Sequence, residues 1–259
     1  MKLHISDKTK KDVFISLFHL LKQNTTSITL MFYEDHLYIQ GMDNSHVCLF
    51  DIKIMAGWFA SYNLDSVDQK MISMDTSIFH MILNVCGDEH SIILHYEGDP
   101  DHLEIDIKNE TGKNDFNKQF SMPLCTIDSE LMNIPETEYD AEFSIPSKKM
   151  QEITSQLSMF GDVMDVNCTE DALTIGSDGT NGKMKVNVPI DDLSEYAISE
   201  DTTLSVSYSL NYIHKMCLST KLASEVEFSI LEDQPMRIRY DLGSESTALF
   251  YIAPKIKDD

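Results

Sequence analysis

The stretch MPLCTIDSELMNIPETEY, residues 122–139, separates two halves of the chain that repeat one order of elements. Pro123 and Pro135 interrupt it, and neither helical nor strand periodicity runs through it. It nevertheless carries a set of large apolar side chains that a solvated tether would not contain, namely Leu124, Ile127, Leu131, Met132 and Ile134. We therefore expect this linker to be covered by the body of the protein or by a partner.

The first half reads as strands interrupted by two helices. Lys10–Lys22 and Thr76–Cys86 have the apolar spacing of amphipathic helices, the second behind the capping candidate Asp75. Ser27–Ile54 alternates with period two around a turn at Glu34–Asp35, which predicts a hairpin. Further strands are predicted over 57–62, 91–97, 102–109 and 116–122.

The second half repeats this order at a shift of about 134 to 138 residues. Ser147 is expected to cap a helix that runs to Phe160, and Leu210–Leu218 matches the second helix of the first half. Strands are predicted over 163–179, 184–190, 203–208, 225–242 and 247–256. The chain is therefore an internal duplication, in which helices cover one face of each antiparallel sheet.

The composition argues against a general affinity for nucleic acid. There are 43 acidic and 20 basic residues, for a formal net charge of -23. The sequence shows no signal peptide and no apolar run of membrane-span length, so we expect a soluble intracellular protein. The five cysteines are widely spaced without a C-x-x-C pair, which predicts reduced and mostly buried thiols.

Many of the basic residues fall on the predicted helices, whereas strands and loops hold most of the acids. Lys11, His19 and Lys22 are expected on the outer face of the first helix, and Lys148 and Lys149 begin the third. These faces are either ordinary solvated helix surfaces or a local basic surface, and composition alone leaves both open.

The sequence does not indicate an active site. The carboxylates Asp162 and Asp165, like Glu170 and Asp171, are expected to lie in or near solvated turns rather than to bind Mg²⁺. The stretch GSDGTNGK (176–183) lacks the spacing of a phosphate-binding loop, and Met184 replaces the required Ser or Thr. We expect neither catalysis nor a bound metal or cofactor.

Five motifs resemble one family in register: IQGMDNSHVCLFDIKI (39–54), MNIPETEY (132–139), IPSKKMQEI (145–153), FGDVMDVNC (160–168) and FYIAPKI (250–256). They are similar to the eukaryotic-type sliding clamp family, proliferating cell nuclear antigen with its archaeal and large DNA-virus relatives. The resemblance implies an α+β DNA-clamp fold, with two duplicated domains that each place antiparallel sheets outside and two helices inside. It further implies domains at 1–122 and 142–259, and a connector at 123–141.

The resemblance also implies a function without catalysis. Three subunits would close head to tail into a pseudo-six-fold ring, with edge strands near 113–121 and 174–185, that encircles double-stranded DNA as a polymerase processivity factor. The lysines expected to face DNA are Lys10, Lys11, Lys22, Lys148, Lys149, Lys215 and Lys221.

Partner proteins are expected to dock at a pocket under the connector. By resemblance these are DNA polymerase, clamp loader, flap nuclease and ligase, each inserting one aliphatic and two aromatic residues from a short motif. The matching positions are Met42, His46, Leu49, Met132, Ile134, Pro135, Tyr139, Pro235, Tyr251, Ala253 and Pro254.

An alternative is a clamp-fold peptide-binding adaptor that is monomeric or hetero-oligomeric and does not itself encircle DNA. It is motivated by the basic positions of the family that this chain replaces on its helices. The expected location follows the source: the nucleus for a eukaryote, the replication compartment for a virus, and the cytoplasm for an archaeon.

Overall fold

A computed structural model of the chain describes residues 1–64, 71–96, 101–112, 116–127 and 130–255. Parts of the predicted segments, at Glu97, 113–115, 128–129 and Ile256, lie outside these residues. The elements of the first half are β1 Lys2–Ile5, α1 Lys8–Lys22, β2 Ser27–Phe32, β3 His36–Met42, β4 Cys48–Met55, β5 Ser61–Asn63, β6 Met71–Asp75, α2 Thr76–Leu83, β7 His90–His95, β8 His102–Asn109 and β9 Lys118–Pro123.

The second half repeats strands around two helices, as the duplication predicts. Its elements are β10 Ala141–Pro146, α3 Ser147–Leu157, β11 Val163–Thr169, β12 Ala172–Gly179, β13 Gly182–Val188, β14 Glu195–Ile198, β15 Leu204–Ser209, α4 Leu210–Cys217, β16 Glu225–Ile230, β17 Met236–Gly243 and β18 Ser246–Ile252. Among the residues described, no helix is long and apolar enough to cross a membrane.

The chain divides into two compact units, and each unit contains segments from both halves of the sequence. Unit 1 contains Met1–Asn44, Phe50–Met132 and Asp241–Ala248. Unit 2 contains Ser45–Leu49, Asn133–Tyr240 and the segment from Leu249 onward.

Unit 1 has two antiparallel sheets and a helix pair. One sheet has the order β5-β1-β7-β8-β9, and β4, β3, β2 and β6 neighbour each other in that order in the other. Phe18 of α1 meets Phe79 of α2 edge to face, with ring centroids 4.7 Å apart, and Phe14 lies 4.7 Å from Phe18. These rings and Trp58 are fully buried, so aromatic packing holds the helices together.

Unit 2 is built in the same way. One sheet has the order β13-β12-β11-β15, and β14, β10, β16, β17 and β18 neighbour each other in the other. Phe143 of β10 lies opposite Phe228 of β16, and their buried rings stack at 5.0 Å. The Nδ1 atom of His214 on α4 lies 3.2 Å from Thr154 Oγ1 on α3, which ties this helix pair together.

Two of the four helices described, α1 and α2, have side-chain caps. Asp75 accepts hydrogen bonds from the backbone N–H groups of Ser77 and Ile78, as predicted, and Asp7 caps α1 through Lys10. The prediction for α3 was wrong, because Pro146 is its N-cap and Ser147 is its first helical residue.

The prediction of a strand over 57–62 was also wrong. Ala56–Trp58 forms a 3-10 turn, and only Ser61–Asn63 is a strand. The cause is the Trp58 side chain, which is fully buried and donates its indole N–H to the Leu242 carbonyl at 2.9 Å. Burying this large side chain and satisfying its N–H outweighs the local strand preference.

Helix α1 ends at Lys22, as predicted, whereas α2, α3 and α4 end earlier than the sequence predicts, at Leu83, Leu157 and Cys217. Four strands were not predicted: β1, β6, β10 and β14. The prediction for the cysteines is confirmed, since all five are free and Cys48, Cys168 and Cys217 are buried.

Candidate functional site

The C-terminal segment of unit 2 lies between two other parts of that unit. After β18, the Ala253 N–H donates to the Val47 carbonyl at 3.0 Å, beside the loop that carries His46. Pro254 pairs with Tyr208 in an isolated antiparallel bridge, and the Lys255 N–H donates to the Ser207 carbonyl at 2.8 Å. The structure thus brings the predicted residues Ala253 and Pro254 against β15 and the loop that carries His46.

Tyr208 connects several predicted positions, although sequence reasoning did not select it. Its side chain is fully buried, its backbone pairs with that of Pro254, and its hydroxyl donates to the Gln234 carbonyl, next to Pro235, at 3.4 Å. Burial raises the pKa of Tyr208, and nearby Cys168 and Tyr139 raise it further, so the hydroxyl remains a donor. The alternation of apolar residues in β15 puts Tyr208 on the buried face of the strand, and this pattern could have identified it from the sequence.

Tyr139 is held by an arginine that the sequence reading overlooked. The Arg237 guanidinium lies over the Tyr139 ring, with its central carbon 4.6 Å from the ring centroid. Arg237 is itself fixed by Glu142 at 3.0 Å and by the Ser229 hydroxyl at 2.8 Å. The half-buried Tyr139 therefore has a defined orientation where the connector meets β10.

The remaining predicted positions of unit 2 are accessible. Leu49, Ile134 and Tyr251 are half-buried, whereas His46, Pro135 and Pro235 are exposed. His46 has a positive φ of 57°, a conformation that non-glycine residues adopt mainly in tight loops. Unit 2 thus presents partly exposed apolar and aromatic side chains, the kind of surface on which a peptide buries its own apolar residues.

Two predicted positions belong to unit 1. Met42 is half-buried at the end of β3. Met132 is half-buried, and its backbone makes two hydrogen bonds with the Gln40 side chain, at 2.8 and 2.9 Å.

The structure corrects the prediction that Lys11 faces DNA. Lys11 is only 3% exposed, and its ammonium donates to the backbone carbonyls of Gly87, Asp88 and His90. The reason is its place on the buried stripe of α1 that continues through Phe14 and Phe18. A buried ammonium that is saturated by carbonyls is not available to a phosphate.

Lys10 is also engaged within unit 1. Its ammonium donates to the Trp58 carbonyl at 2.6 Å and lies 5.5 Å from the centroid of the Trp58 ring.

Lys22 is half-buried at the end of α1. Burial lowers the pKa of His19 and that of His80, which falls to about 4, and the charge of Lys22 adds to both effects.

The lysines of unit 2 are more accessible. Lys148, Lys149 and Lys221 are exposed, and Lys149 lies 3.5 Å from Glu152 one turn along α3. Lys215 is half-buried, with its ammonium 5.5 Å from the Tyr212 ring centroid. Long exposed lysines can reach phosphates several ångströms from their helix.

Two of the four carboxylates considered for metal binding accept hydrogen bonds from within the protein. Asp165 accepts a hydrogen bond from the Ser207 hydroxyl at 2.6 Å, and Glu170 accepts one from the Asp201 N–H at 3.1 Å. In the described ranges, no group of three or more His, Cys, Asp or Glu side chains could hold a metal ion.

The glycine-rich stretch 176–183 is the β12–β13 hairpin. Gly182 has a φ of +120°, and a Cβ at Gly179 would lie 2.2 Å from the Phe160 carbonyl oxygen. Its glycines therefore serve a turn and a close backbone approach.

Family models match both halves of the chain. Residues 8–131 match the N-terminal domain of proliferating cell nuclear antigen, and residues 133–255 match its C-terminal domain. The chain is 28% identical over 229 residues to the proliferating cell nuclear antigen of Chaetomium thermophilum, covering 85% of this chain and 86% of the relative. It is 26% identical over 256 residues to proliferating cell nuclear antigen 2 of Plasmodium falciparum, covering 95% and 96%.

Solved structures of low sequence identity share the fold. A PCNA2–PCNA3 complex from Sulfolobus tokodaii superimposes with a TM-score of 0.87 at 21% identity, covering 98% of this chain and 99% of that one. PCNA from Thermococcus kodakaraensis gives the same TM-score and coverage at 19% identity.

Proposed function

The chain belongs to the proliferating cell nuclear antigen family of sliding clamps, which are non-enzymatic scaffolds with the DNA-clamp fold, and on that premise we propose that it forms a homotrimeric ring around double-stranded DNA. In this ring it is the processivity factor of a DNA polymerase. The observation that carries the proposal is the pair of domain matches, which together cover residues 8–131 and 133–255. The proposed boundaries are domains 1–122 and 142–259 around the connector 123–141.

Two open sheet edges support self-assembly. Within the described chain, β9 is the last strand of its sheet in unit 1, and β13 is the last strand of its sheet in unit 2. Pairing of β9 from one subunit with β13 from the next removes both free edges and produces a head-to-tail contact, which closes when the rotation between subunits allows. The proposed second edge strand is β13, Gly182–Val188, which overlaps the expected range 174–185.

The net charge fits a ring that is held by topology. A chain with a net charge of -23 does not bind DNA by bulk attraction. A closed ring needs only weak phosphate contacts, because it cannot leave the duplex except at an end or by opening. In the proposed ring these contacts come from the exposed Lys148, Lys149 and Lys221, with Lys22 and Lys215 as weaker contributors.

The second part of the proposal is a docking site for partner peptides. Its surface in unit 2 consists of the half-buried and exposed side chains of His46, Leu49, Ile134, Pro135, Tyr139, Pro235, Tyr251, Ala253 and Pro254. Met42 and Met132 of unit 1 are assigned to the same function. Methionines repack easily, which suits a site for polymerase, clamp loader, flap nuclease and ligase motifs.

A duplex fixed to a bead at one end tests encirclement without a clamp loader. The protein is added either before or after the free end is blocked with streptavidin, and the beads are washed in high salt. A ring is retained only when it threads on before the end is blocked. Equal retention in both orders would mean binding by attraction, and no retention in either order would remove encirclement from the proposal.

Peptide docking is tested with a fluorescein-labelled synthetic peptide that presents one Leu and two Phe on one helical turn. Tyr251→Ala is expected to weaken its binding by about tenfold or more, as truncation of a central aromatic contact does. Tyr33→Ala is the matched control, because Tyr33 is a 41% exposed tyrosine of unit 1 outside the proposed site. Equal binding by both variants would refute the docking surface.

A hetero-oligomeric clamp or a peptide-binding adaptor is the second candidate. Lys10 and Lys11 bind carbonyls of unit 1 itself, which leaves fewer cations for DNA than the family pattern implies. The structure from Sulfolobus tokodaii is a complex of PCNA2 with PCNA3. This candidate predicts peptide binding without order-dependent retention on the tethered duplex.

The relatives in Chaetomium and Plasmodium favour the nucleus as the proposed location.

A further inference from the structure

We propose that Gln40 is a positioning residue for the partner-peptide site, because its side-chain amide holds the connector at Met132 in the shape that receives a peptide. This inference rests on the proposed docking function. Gln40 lies on β3 and is only 8% exposed. The Met132 N–H donates to Gln40 Oε1 at 2.8 Å, and Gln40 Nε2 donates to the Met132 carbonyl at 2.9 Å. The amide thus satisfies both backbone groups of one residue, as a neighbouring strand would.

The environment of Gln40 fixes the orientation of its amide. Its Nε2 lies 3.0 Å from the Tyr38 hydroxyl oxygen and 3.4 Å from Asp51 Oδ2. The Tyr38 hydroxyl donates to the same Asp51 carboxylate, so its oxygen can accept from Gln40. Because Nε2 faces acceptors on these sides, Oε1 is left to accept the Met132 N–H. Tyr38 and Asp51 therefore hold Gln40 in the rotamer that binds the connector.

The connector needs such a support in its middle. Backbone hydrogen bonds anchor it near its ends, from the Cys125 N–H to Ser73 at 2.9 Å and from the Asp140 N–H to Ile230 at 3.0 Å. Next to Met132, Leu131 is 52% exposed and Asn133 is also exposed. A segment outside any helix or strand, with exposed residues on both sides of Met132, loses conformational entropy when a peptide orders it. A fixed point in the free protein lowers that cost.

The chemistry predicts which substitutions matter. Gln40→Ala removes both hydrogen bonds and leaves the Met132 N–H and carbonyl to water. Gln40→Glu keeps the size of the side chain, but it replaces the donor with an acceptor that faces the Met132 carbonyl and adds a negative charge beside Asp51. Both variants are therefore expected to release Met132. Gln23→Ala, at the end of α1, is the matched control, since the Gln23 side chain is bonded to His19 and not to the connector.

The test measures hydrogen exchange of the Met132 amide and binding of the labelled Leu/Phe/Phe peptide in the same four proteins. Wild type and Gln23→Ala are expected to protect the Met132 amide and to bind alike. Gln40→Ala and Gln40→Glu are expected to lose that protection and to bind about tenfold more weakly. Their thermal unfolding midpoints are expected to stay near that of wild type, which separates release of the connector from loss of the fold.

The outcomes distinguish this inference from the proposed function. If wild type does not bind the peptide, the docking function fails, whatever Gln40 does. If wild type binds and both Gln40 variants bind within about twofold of it, the positioning role is overturned. It is also overturned if Gln40→Ala, which has no side-chain acceptor for the Met132 N–H, keeps full protection of the Met132 amide.

Discussion

The dipeptide Lys-Lys lies in the first turn of the first helix of each half, and the two copies have different environments. In unit 1, Lys11 is buried and its ammonium binds the carbonyls of the segment that follows α2. In unit 2, Lys148 and Lys149 are exposed. There Ser147 makes the equivalent connection, since its hydroxyl donates to the Ala223 carbonyl at 2.8 Å.

This difference shows that a duplicated fold can keep a junction while changing the residue that forms it. Each helix pair is closed by a side chain from its first helix, which satisfies carbonyls beyond its second helix. A lysine forms the junction in unit 1 and a serine in unit 2, so only unit 2 leaves its lysine pair accessible. The basic surface of the proposed ring is therefore expected to be uneven between units.

The largest expected effect is that of removing the buried lysine. Lys11→Ala removes the ammonium donor from three carbonyls and is expected to lower the free energy of unfolding by about 3 kcal/mol. Trp58, the single tryptophan, is buried in unit 1 and reports this transition by its fluorescence. Lys149→Ala is the control from the other unit, with an expected change below about 0.5 kcal/mol. Equal effects of the two substitutions would remove the contrast between the units.

Acid is expected to destabilise unit 1 through His80. Burial, assisted by Lys22 and His19, lowers the pKa of His80 to about 4 in the folded state, below the ordinary value of 6.5. The unfolded chain therefore binds the proton first, so stability is present above pH 6.5 and is lost as the pH falls towards about 4. His80→Gln is expected to reduce this loss in the Trp58 transition.

The equivalent residue of unit 2 supplies the control for this pH effect. Burial lowers the pKa of His214 as well, but its ring belongs to the other helix pair. His214→Gln is expected to leave the acid dependence of the Trp58 transition unchanged. The attribution of the acid sensitivity to His80 would be wrong if the His80→Gln variant and wild type lost the same stability between pH 6.5 and 4.

Lys10 is expected to have an intermediate effect. Lys10→Ala removes the hydrogen bond to the Trp58 carbonyl and the contact with the Trp58 ring, together worth about 1 kcal/mol. Lys148→Ala, at the repeat-related position, is expected to change stability by less than about 0.5 kcal/mol. The Trp58 fluorescence midpoint in urea measures the first change, and circular dichroism measures the second. If Lys148→Ala were as destabilising as Lys10→Ala, the expectation that the exposed Lys148 contributes less to stability than Lys10 would be wrong.

Substitution of the exposed lysines of unit 2 is expected to have the smallest effect on stability, and its main effect is expected on DNA binding. Replacing Lys148, Lys149 and Lys221 by alanine is expected to leave the fold unchanged and to reduce the salt dependence of DNA binding. Each lost phosphate contact lowers the logarithmic slope by about 0.9. Fluorescence anisotropy of a labelled duplex between low and moderate salt measures this slope. Lys10→Ala, the control from unit 1, is expected to leave the slope unchanged. A larger change for Lys10→Ala than for the triple variant would mean that unit 1, not unit 2, supplies the phosphate contacts.

The sequence was sufficient for the repeating order of strands and helices, because apolar periodicity depends on the face that each element buries. It did not reveal β10 or β14, which became strands through pairing with distant segments. It also misplaced Lys11, although the spacing of Lys11, Phe14 and Phe18 puts all three on one helical stripe. A charged residue on an apolar stripe is a sign of a buried partner.

Part of the candidate site could not be predicted because its contacts join residues far apart in sequence. Gln40 and Met132 are 92 positions apart, and neither has a local pattern that indicates a hydrogen bond between them. Arg237 and Tyr139 meet only because β10, β16 and β17 are neighbours in one sheet. The motifs indicated where a site would be, whereas these side-chain contacts required the folded chain.

The assembly of the ring is tested most directly by the native mass of the protein across a range of concentrations. Three chains of 29.5 kDa amount to 88.5 kDa, and the proposed homotrimer predicts a stable species of that mass by native mass spectrometry or light scattering. A species that remains at 29.5 kDa up to high micromolar concentration would contradict a self-assembled ring.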